Sequence, residues 1–394
     1  MALFNRDRAN DVMDAERLDA LIATSKENSE YASGYHSHGQ WAMPSAHTLT
    51  VVPRGASAPT TLVVSYGELD VVAEYGTTAD RVQPYGNFYM VQGRQMGDLE
   101  REIVRLRELR SYPDVVEATV VVLRELGLAD GRLGLDESGL LPHLRQRLRL
   151  ALPGATFSDG CAALQKVRMV KTTEEIERLA RATEIAEHAL LACVASFTEG
   201  ADEHALLRVY EGDVLAQGGR PSIAHILIGE HGAFTNGHAS NRKLRKGDTV
   251  RFDVGCAYRS YNADIARIAC FGDPDERTRR YYDAILAGEE AALALVKPGV
   301  RASQLFDRAV EATRAGGIPG YDRNHVGHGI GIELYDPPLL SRGVDTSIER
   351  GMVLNVETPY YELGWIGLQV EDTVVVTDAG CRFLTRSDRG LLGA

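Results

Sequence analysis

Five side chains of the metal-ligating kind, Asp253, Asp264, His328, Glu357 and Glu371, stand far apart in the chain. Each sits in a short β-rich or glycine-rich phrase: RFDVGCAYRSYNADIAR at 251–267, HVGHGIGIELYDPP at 325–338, NVETPY at 355–360 and GLQVEDTVVVT at 367–377. Four carboxylates and one imidazole form a hard, oxygen-rich set that suits Mn²⁺, Co²⁺ or Fe²⁺, with Zn²⁺ also within range. Four carboxylates in one pocket repel one another and resist ionisation. Two divalent cations neutralise them formally, so a site for two ions is expected. A fold that serves this set must bring several distant strands side by side. Residues 251–253 read as a buried strand ending at Asp253, with 262–268 as its partner. The eleven-residue step from Asp253 to Asp264 accommodates two strands and a turn. Residues 353–357, 368–371 and 373–377 are likewise rich in strand formers.

The D-V-G…A-D-I-A-R, G-H-G-I-G, V-E-T and V-E-D-T-V segments resemble the pita-bread metallopeptidase superfamily of prolidase, aminopeptidase P, methionine aminopeptidase and creatinase. The likeness covers essentially the whole chain. It implies an α/β (α+β) protein with a C-terminal pita-bread domain of pseudo-twofold halves at 161–394. A smaller three-layer α/β domain of the creatinase/prolidase type is expected ahead of it at 1–160. It also implies a ligand scheme in which Asp253 chelates one ion, His328 and Glu357 bind the other, and Asp264 with Glu371 bridge them. Manganese is the first expectation for both ions, with cobalt, iron or zinc as alternatives.

Peptidases of the aminopeptidase P and prolidase type add three histidines beside the metals, and this chain departs from that pattern. His238, in NGHASN, stands where the first belongs. The second position, four residues before the metal histidine, holds Asn324, with His325 beside it as a substitute. The third position, seven residues after it, holds Tyr335. The arginine that receives the substrate's terminal carboxylate in prolidases is replaced by Gln369, two residues before the last glutamate. A neutral amide cannot supply the bidentate, permanently charged clamp of a guanidinium. A tyrosine donates a hydrogen bond well but shuttles protons poorly at neutral pH. Arg323 or Arg342 is available to take over the carboxylate. His238, His325 and Tyr335 are therefore the expected catalytic groups, and Asn324 and Gln369 the expected substrate contacts. His225 and His231 read as wall or core histidines.

The first 160 residues carry no phosphate-binding glycine loop. Helices are expected at 6–17, 95–109, 114–127 and 139–149, and strands at 18–23, 47–52, 61–64 and 132–135, an alternation that builds a three-layer domain. The loop GYHSHGQW at 34–41 collects histidines and aromatics between glycines, the make-up of a binding surface. By resemblance, Tyr35 or His36 in this loop reaches the pocket of a second copy in a homodimer. The domain junction is expected within 158–171, just before a helix opened by the capping box Thr172 and Glu175. That helix should bury Ile176, Leu179, Ala186, Leu190 and Cys193. An internal echo then relates EG at 199–200 and GG at 218–219 to PG at 298–299 and GG at 316–317, which predicts two related halves.

A net charge of −12 argues against a nucleic-acid partner. Five scattered cysteines without a C-x-x-C pair suit a reducing compartment. The N-terminal residues lack an apolar signal core and no run reaches membrane-spanning length. A cytoplasmic enzyme is the expectation, with no membrane partner and a dipeptide or small molecule as substrate. The leading function is a dinuclear metal hydrolase of an amide C–N bond, like an Xaa-Pro dipeptidase or aminopeptidase. The alternative keeps the site and changes the substrate, as in creatinase- or ectoine-hydrolase-like C–N hydrolases or a lyase. A binding module without activity is a third reading, and the full set of five ligands speaks against it.

Overall fold

The computed structural model describes residues 3–43 and 45–393. Two compact units divide after Arg168. The expected border at 160/161 falls at the head of the helix Gly160–Arg168, which packs on strands of the first unit and belongs with it.

The first unit is built on a six-stranded mixed sheet of β1 (Ala20–Ala23), β2 (Leu49–Pro53), β3 (Thr61–Ser65), β4 (Arg81–Tyr85), β5 (Arg132–Leu135) and β6 (Thr156–Asp159), in the order β4-β3-β2-β1-β5-β6. Alternation sends Ile22, Val51, Val63, Leu133 and Leu135 to one face, under the helices Val115–Glu125 and Pro142–Ala151. The opposite face lies against Gly160–Arg168, where a Cβ on Gly134 would strike Leu21, Leu18 and the backbone of Gly160. Helices on both faces make the expected three layers. β4, β6 and the helix Leu69–Tyr75 were not anticipated, because their residues are half-exposed or lack a clear apolar period.

The second unit carries a sheet that runs, in order, β12 (Asp336–Leu339), β11 (Gly327–Gly329), β13 (Val353–Glu357), β16 (Glu371–Val376), β10 (Ile265–Cys270), β8 (Thr249–Tyr258) and β7 (Arg220–Ile228), every neighbouring pair antiparallel. A short β9 (Tyr261–Asn262) pairs with β8, and β14 (Tyr360–Glu362) with β15 (Ile366–Leu368) forms a separate ribbon. β8 continues five residues past Asp253, where the sequence suggested an end, because Val254, Gly255, Cys256 and Ala257 are all buried and remain paired.

Two helix pairs cover the two halves of this sheet. Thr173–Ala195 and Glu203–Ala216 share a core with Ile226, Phe252 and Ile265, and Glu276–Leu293 and Ala302–Ala315 share another with Leu354, Val356 and Val374. The echo seen in the sequence is structural. Gly200 and Gly299 both take positive φ (87° and 88°), and their amides donate to Leu244 O and Ile348 O at 2.9 Å in each case. The capping box of Thr172 and Glu175 opens the first long helix; Leu179, Ala186, Leu190 and Cys193 are buried as expected, and Ile176 is half-buried. Among the described residues no helix is long and apolar enough to cross a membrane.

Candidate metal centre and active site

One row of residues crosses the second unit's sheet: His225 on β7, Asp253 on β8, Ala266 on β10, Glu371 on β16 and Glu357 on β13, each opposite the next. Directly opposed residues of antiparallel strands share a face. Three of the five predicted ligands therefore converge by register alone, with the small Ala266 leaving room at the centre of the row. Asp264 lies two residues before Ala266. His328 faces Asn355, which is two residues before Glu357 and so on the same side. Strands far apart in sequence thus meet in one acidic patch.

Asp264, His328 and Glu371 come closest, each offering a ligand atom within 4.8 Å of the others, and all three are buried. His328 Nε2 stands 3.7 Å from Asp264 Oδ2. The His328 Nδ1 proton is donated to Gly329 O at 2.9 Å, which leaves a lone pair on Nε2. Among the described residues, neither that nitrogen nor Asp264 Oδ1 has a hydrogen-bond partner. Burial without a partner is costly for both atoms, and a cation between them would satisfy both. The backbone gives way to the cluster at Gly327, whose φ is 130° and whose absent Cβ would lie 2.0 Å from Asn355 O.

The electrostatics point the same way. Burial, then the charges of Asp253 and Glu357, push the Asp264 carboxyl well above its usual range. Burial, then Asp264, Glu357 and Asp253, do the same to Glu371. Glu357 is pushed up to about 7 by burial, although Arg323 opposes the shift. Burial holds His328 down at about 4. A neutral imidazole among carboxylates that repel one another is a set matched to divalent cations.

The remaining predicted residues divide sharply. His325, rather than Asn324, turns into the site: its Nδ1 lies 3.2 Å from Glu357 Oε1, and Asn324 is exposed. Tyr335 stacks flat on His328, with ring centroids 3.6 Å apart and planes 18° off parallel, and its ring edge meets His325 at 6.0 Å. Buried Asp336, paired with Lys171 at 3.3 Å, fixes the chain beside it. His238 is exposed, on a loop tied to the strands by Arg251, which donates to Phe234 O and Thr235 O, and by a 2.9 Å contact of His225 Nδ1 with Gly237 O. His231 is a structural histidine, as expected, held on the buried Glu203.

Two expected substrate contacts are buried within this chain. Tyr35 is 1% exposed and packs in its own domain's core with Leu62, Val64, Leu69, Val72 and Leu106, so its ring is not presented to a second copy. Its loop instead exposes His36, which pairs with Glu30 at 2.7 Å and stacks on Trp41. Gln369 is buried with both ends engaged: Nε2 donates to Glu357 Oε2 (3.2 Å), and Oε1 accepts from Arg251 (2.8 Å) and Tyr361 (3.1 Å). Its side chain links Glu357 to Arg251 and Tyr361.

That link exposes a residue the sequence reading passed over. Arg251 is fully buried and joins Asp253 Oδ2 at 2.8 Å to Gln369. The signal was present in R-F-D, since residues two apart on a strand share a face.

Sheet, helix pairs and buried acid cluster make a two-unit α/β protein with a candidate metal centre, and comparison with known proteins gives it a family. Metallopeptidase family M24 matches residues 177–378, and the creatinase/prolidase N-terminal domain matches 6–170. The chain belongs to metallopeptidase family M24. A curated Xaa-Pro dipeptidase of Pyrococcus furiosus is 34% identical over 231 residues; the match spans 58% of this chain and 66% of that protein, just short of two thirds. Among solved structures, dipeptidase PepE of Mycobacterium ulcerans is 25% identical with a TM-score of 0.78, covering 98% of this chain and 96% of that one. The prolidase of Pyrococcus furiosus, also 25% identical, superposes with a TM-score of 0.75 over 96% of this chain and all (100%) of that one. The pita-bread architecture and the creatinase-type N-terminal unit expected from the sequence are thereby established.

Proposed function

We propose that this chain is a dinuclear metal-dependent hydrolase of an amide C–N bond, acting on Xaa-Pro dipeptides or close analogues. The observation that carries the reading is the pair of unpartnered buried atoms, Asp264 Oδ1 and His328 Nε2, among carboxylates that resist ionisation. Asp253, Asp264, His328, Glu357 and Glu371 would hold two divalent ions, manganese first among them. Such ions lower the pKa of a bound water and polarise the scissile carbonyl.

The chain's own residues do the rest. The Gly329 carbonyl fixes the tautomer of His328. Asn355 Nδ2 donates to Glu371 Oε1 at 2.9 Å and holds that carboxylate in its rotamer. Tyr335 covers the outer face of His328 and offers its hydroxyl to a developing oxyanion. His325, beside Glu357, is placed to exchange a proton with the reacting groups. His238, on its exposed loop, is assigned to proton transfer with the leaving amine. The names of the relatives, dipeptidases and prolidases, support the choice of substrate.

A cytoplasmic homodimer completes the reading. The free thiols Cys193, Cys256, Cys270 and Cys381 support a reducing compartment. The exposed His36, at the Trp41 stack, supports a contact with a second copy. Light scattering behind size exclusion reads the dimer directly.

The deciding experiment measures amino-acid release from paired Xaa-Pro and Xaa-non-Pro dipeptides by manganese-loaded protein. Proline-selective release supports the proposal. No release from metal-replete protein, with turnover of small cyclic or guanidino compounds, moves the assignment to a non-peptidase C–N hydrolase.

A further inference from the structure

The buried guanidinium groups at the sheet of the second unit are held through their terminal nitrogens by side-chain and backbone acceptors. Arg267 meets Asp372 at 2.6 Å together with backbone carbonyls, and Arg251 meets Asp253 and Gln369. Arg323 differs. Its Nε, like that of Arg251, is buried with no acceptor among the described residues, but here no ion pair or hydrogen bond among those residues engages the rest of the guanidinium either. It is held by an aromatic face instead, with Cζ 5.5 Å from the ring centroid of Tyr361, the tyrosine whose hydroxyl donates to Gln369. Arg251 lies against the same ring at 5.3 Å.

The charge of Arg323 acts on the site, since it opposes the upward shift of Glu357 and depresses His325. A permanent cation beside the candidate metal centre, half-exposed and without a protein anion among the described residues, is arranged to receive an anion from outside. Arg251 cannot do this, because its side chain is 0% exposed. Arg342 is bound to Asp322 at 3.0 Å on the surface. Gln369 is neutral and engaged at both ends.

We propose that Arg323 is the specificity-determining residue that receives the substrate's free α-carboxylate, so that this site selects compounds with a carboxylate close to the scissile C–N bond, dipeptides above all, over longer peptides and uncharged amides. This rests on the amide-hydrolase reading above. Tyr361 is the platform that orients the guanidinium plane.

The test compares an Xaa-Pro dipeptide with its C-terminal amide on manganese-loaded wild-type protein, R323Q and R323K. The wild type should prefer the free acid, chiefly through KM. R323Q should bring the two substrates' kcat/KM values together by a loss on the order of 10–100-fold on the acid alone, the worth of a charged hydrogen bond. R323K should recover part of that preference. Equal losses on acid and amide, or an undiminished preference in R323Q, would overturn the assignment.

Calorimetric titration with L-proline and L-prolinamide keeps the two proposals separable. If metal-loaded wild type releases nothing from any dipeptide, the peptidase reading fails on that result. Carboxylate-selective binding that disappears in R323Q then still supports the role of Arg323, and binding that ignores the carboxylate or survives the substitution refutes it.

Discussion

Replacing Arg251 by leucine tests how the site is braced. The guanidinium is fully buried and makes four contacts: Asp253 Oδ2 and Gln369 Oε1 at 2.8 Å, Phe234 O at 3.0 Å and Thr235 O at 3.2 Å. Leucine fills part of the volume, so the cost is chiefly that of stranded polar groups rather than of a cavity. Removing one partner of a buried charged network costs about 3–5 kcal/mol. For a unit of the size of 169–394, one kcal/mol moves Tm by about 2–4 °C, so R251L should melt roughly 6–20 °C below wild type. Scanning calorimetry in chelator reads this without a contribution from bound metal. The double variant R251L/Q369L should recover part of the loss, because the orphaned amide oxygen is removed with its partner, and the cycle should show a coupling of about 0.5–3 kcal/mol. A Tm shift below about 2 °C, or strictly additive substitutions, would refute the view that Arg251 and Gln369 form one structural link.

Two further predictions concern the acids and their tyrosine lid. The folded-state pKa of Glu371 is raised above its ordinary 4.5. Its penalty in metal-free protein is therefore absent below that value and grows as pH rises through the folded pKa. Metal-free E371Q should accordingly be more stable than metal-free wild type at pH 8, with the gap closing toward pH 4.5; a gap that widens on acidification would contradict the sign. Y335F should keep the stack on His328 and the metal content, yet lose about 10²–10³ in kcat if the hydroxyl serves the oxyanion. Burial and the surrounding carboxylates push that hydroxyl above the usual phenol range. Wild-type activity should for that reason show no basic limb near pH ~10 that Y335F removes; an unchanged kcat in Y335F would take the tyrosine out of the chemistry.

The convergence of the acids and the architecture were legible because both obey period-two geometry. Asp253, Glu371 and Glu357 stand in strong strand phrases, and strand pairing alone brings them into one row. The glycine echo at Gly200 and Gly299 was legible because the left-handed turn leaves its mark in composition. What escaped was orientation. Nothing local distinguishes Asn324 from His325 as the residue that turns inward; that depends on how the chain enters β11. Tyr35 looked like a surface aromatic in a glycine-bounded loop, yet the core formed with Leu62 and Leu106, distant in sequence, takes it in. Gln369 read as a weakened substrate clamp because its partner, Arg251, lies on β8, 118 residues earlier in the chain. Only the pairing of β8 and β16 through β10 makes them neighbours.

The most direct measurement is a calorimetric titration of Mn²⁺ into chelator-treated protein, run beside H328A and D264N. Binding should saturate near two equivalents per chain, release protons from the raised carboxyls, and be clearly lost in both variants. No binding by the wild type, or binding that both substitutions leave intact, would contradict the claim that this buried acid cluster is a metal centre.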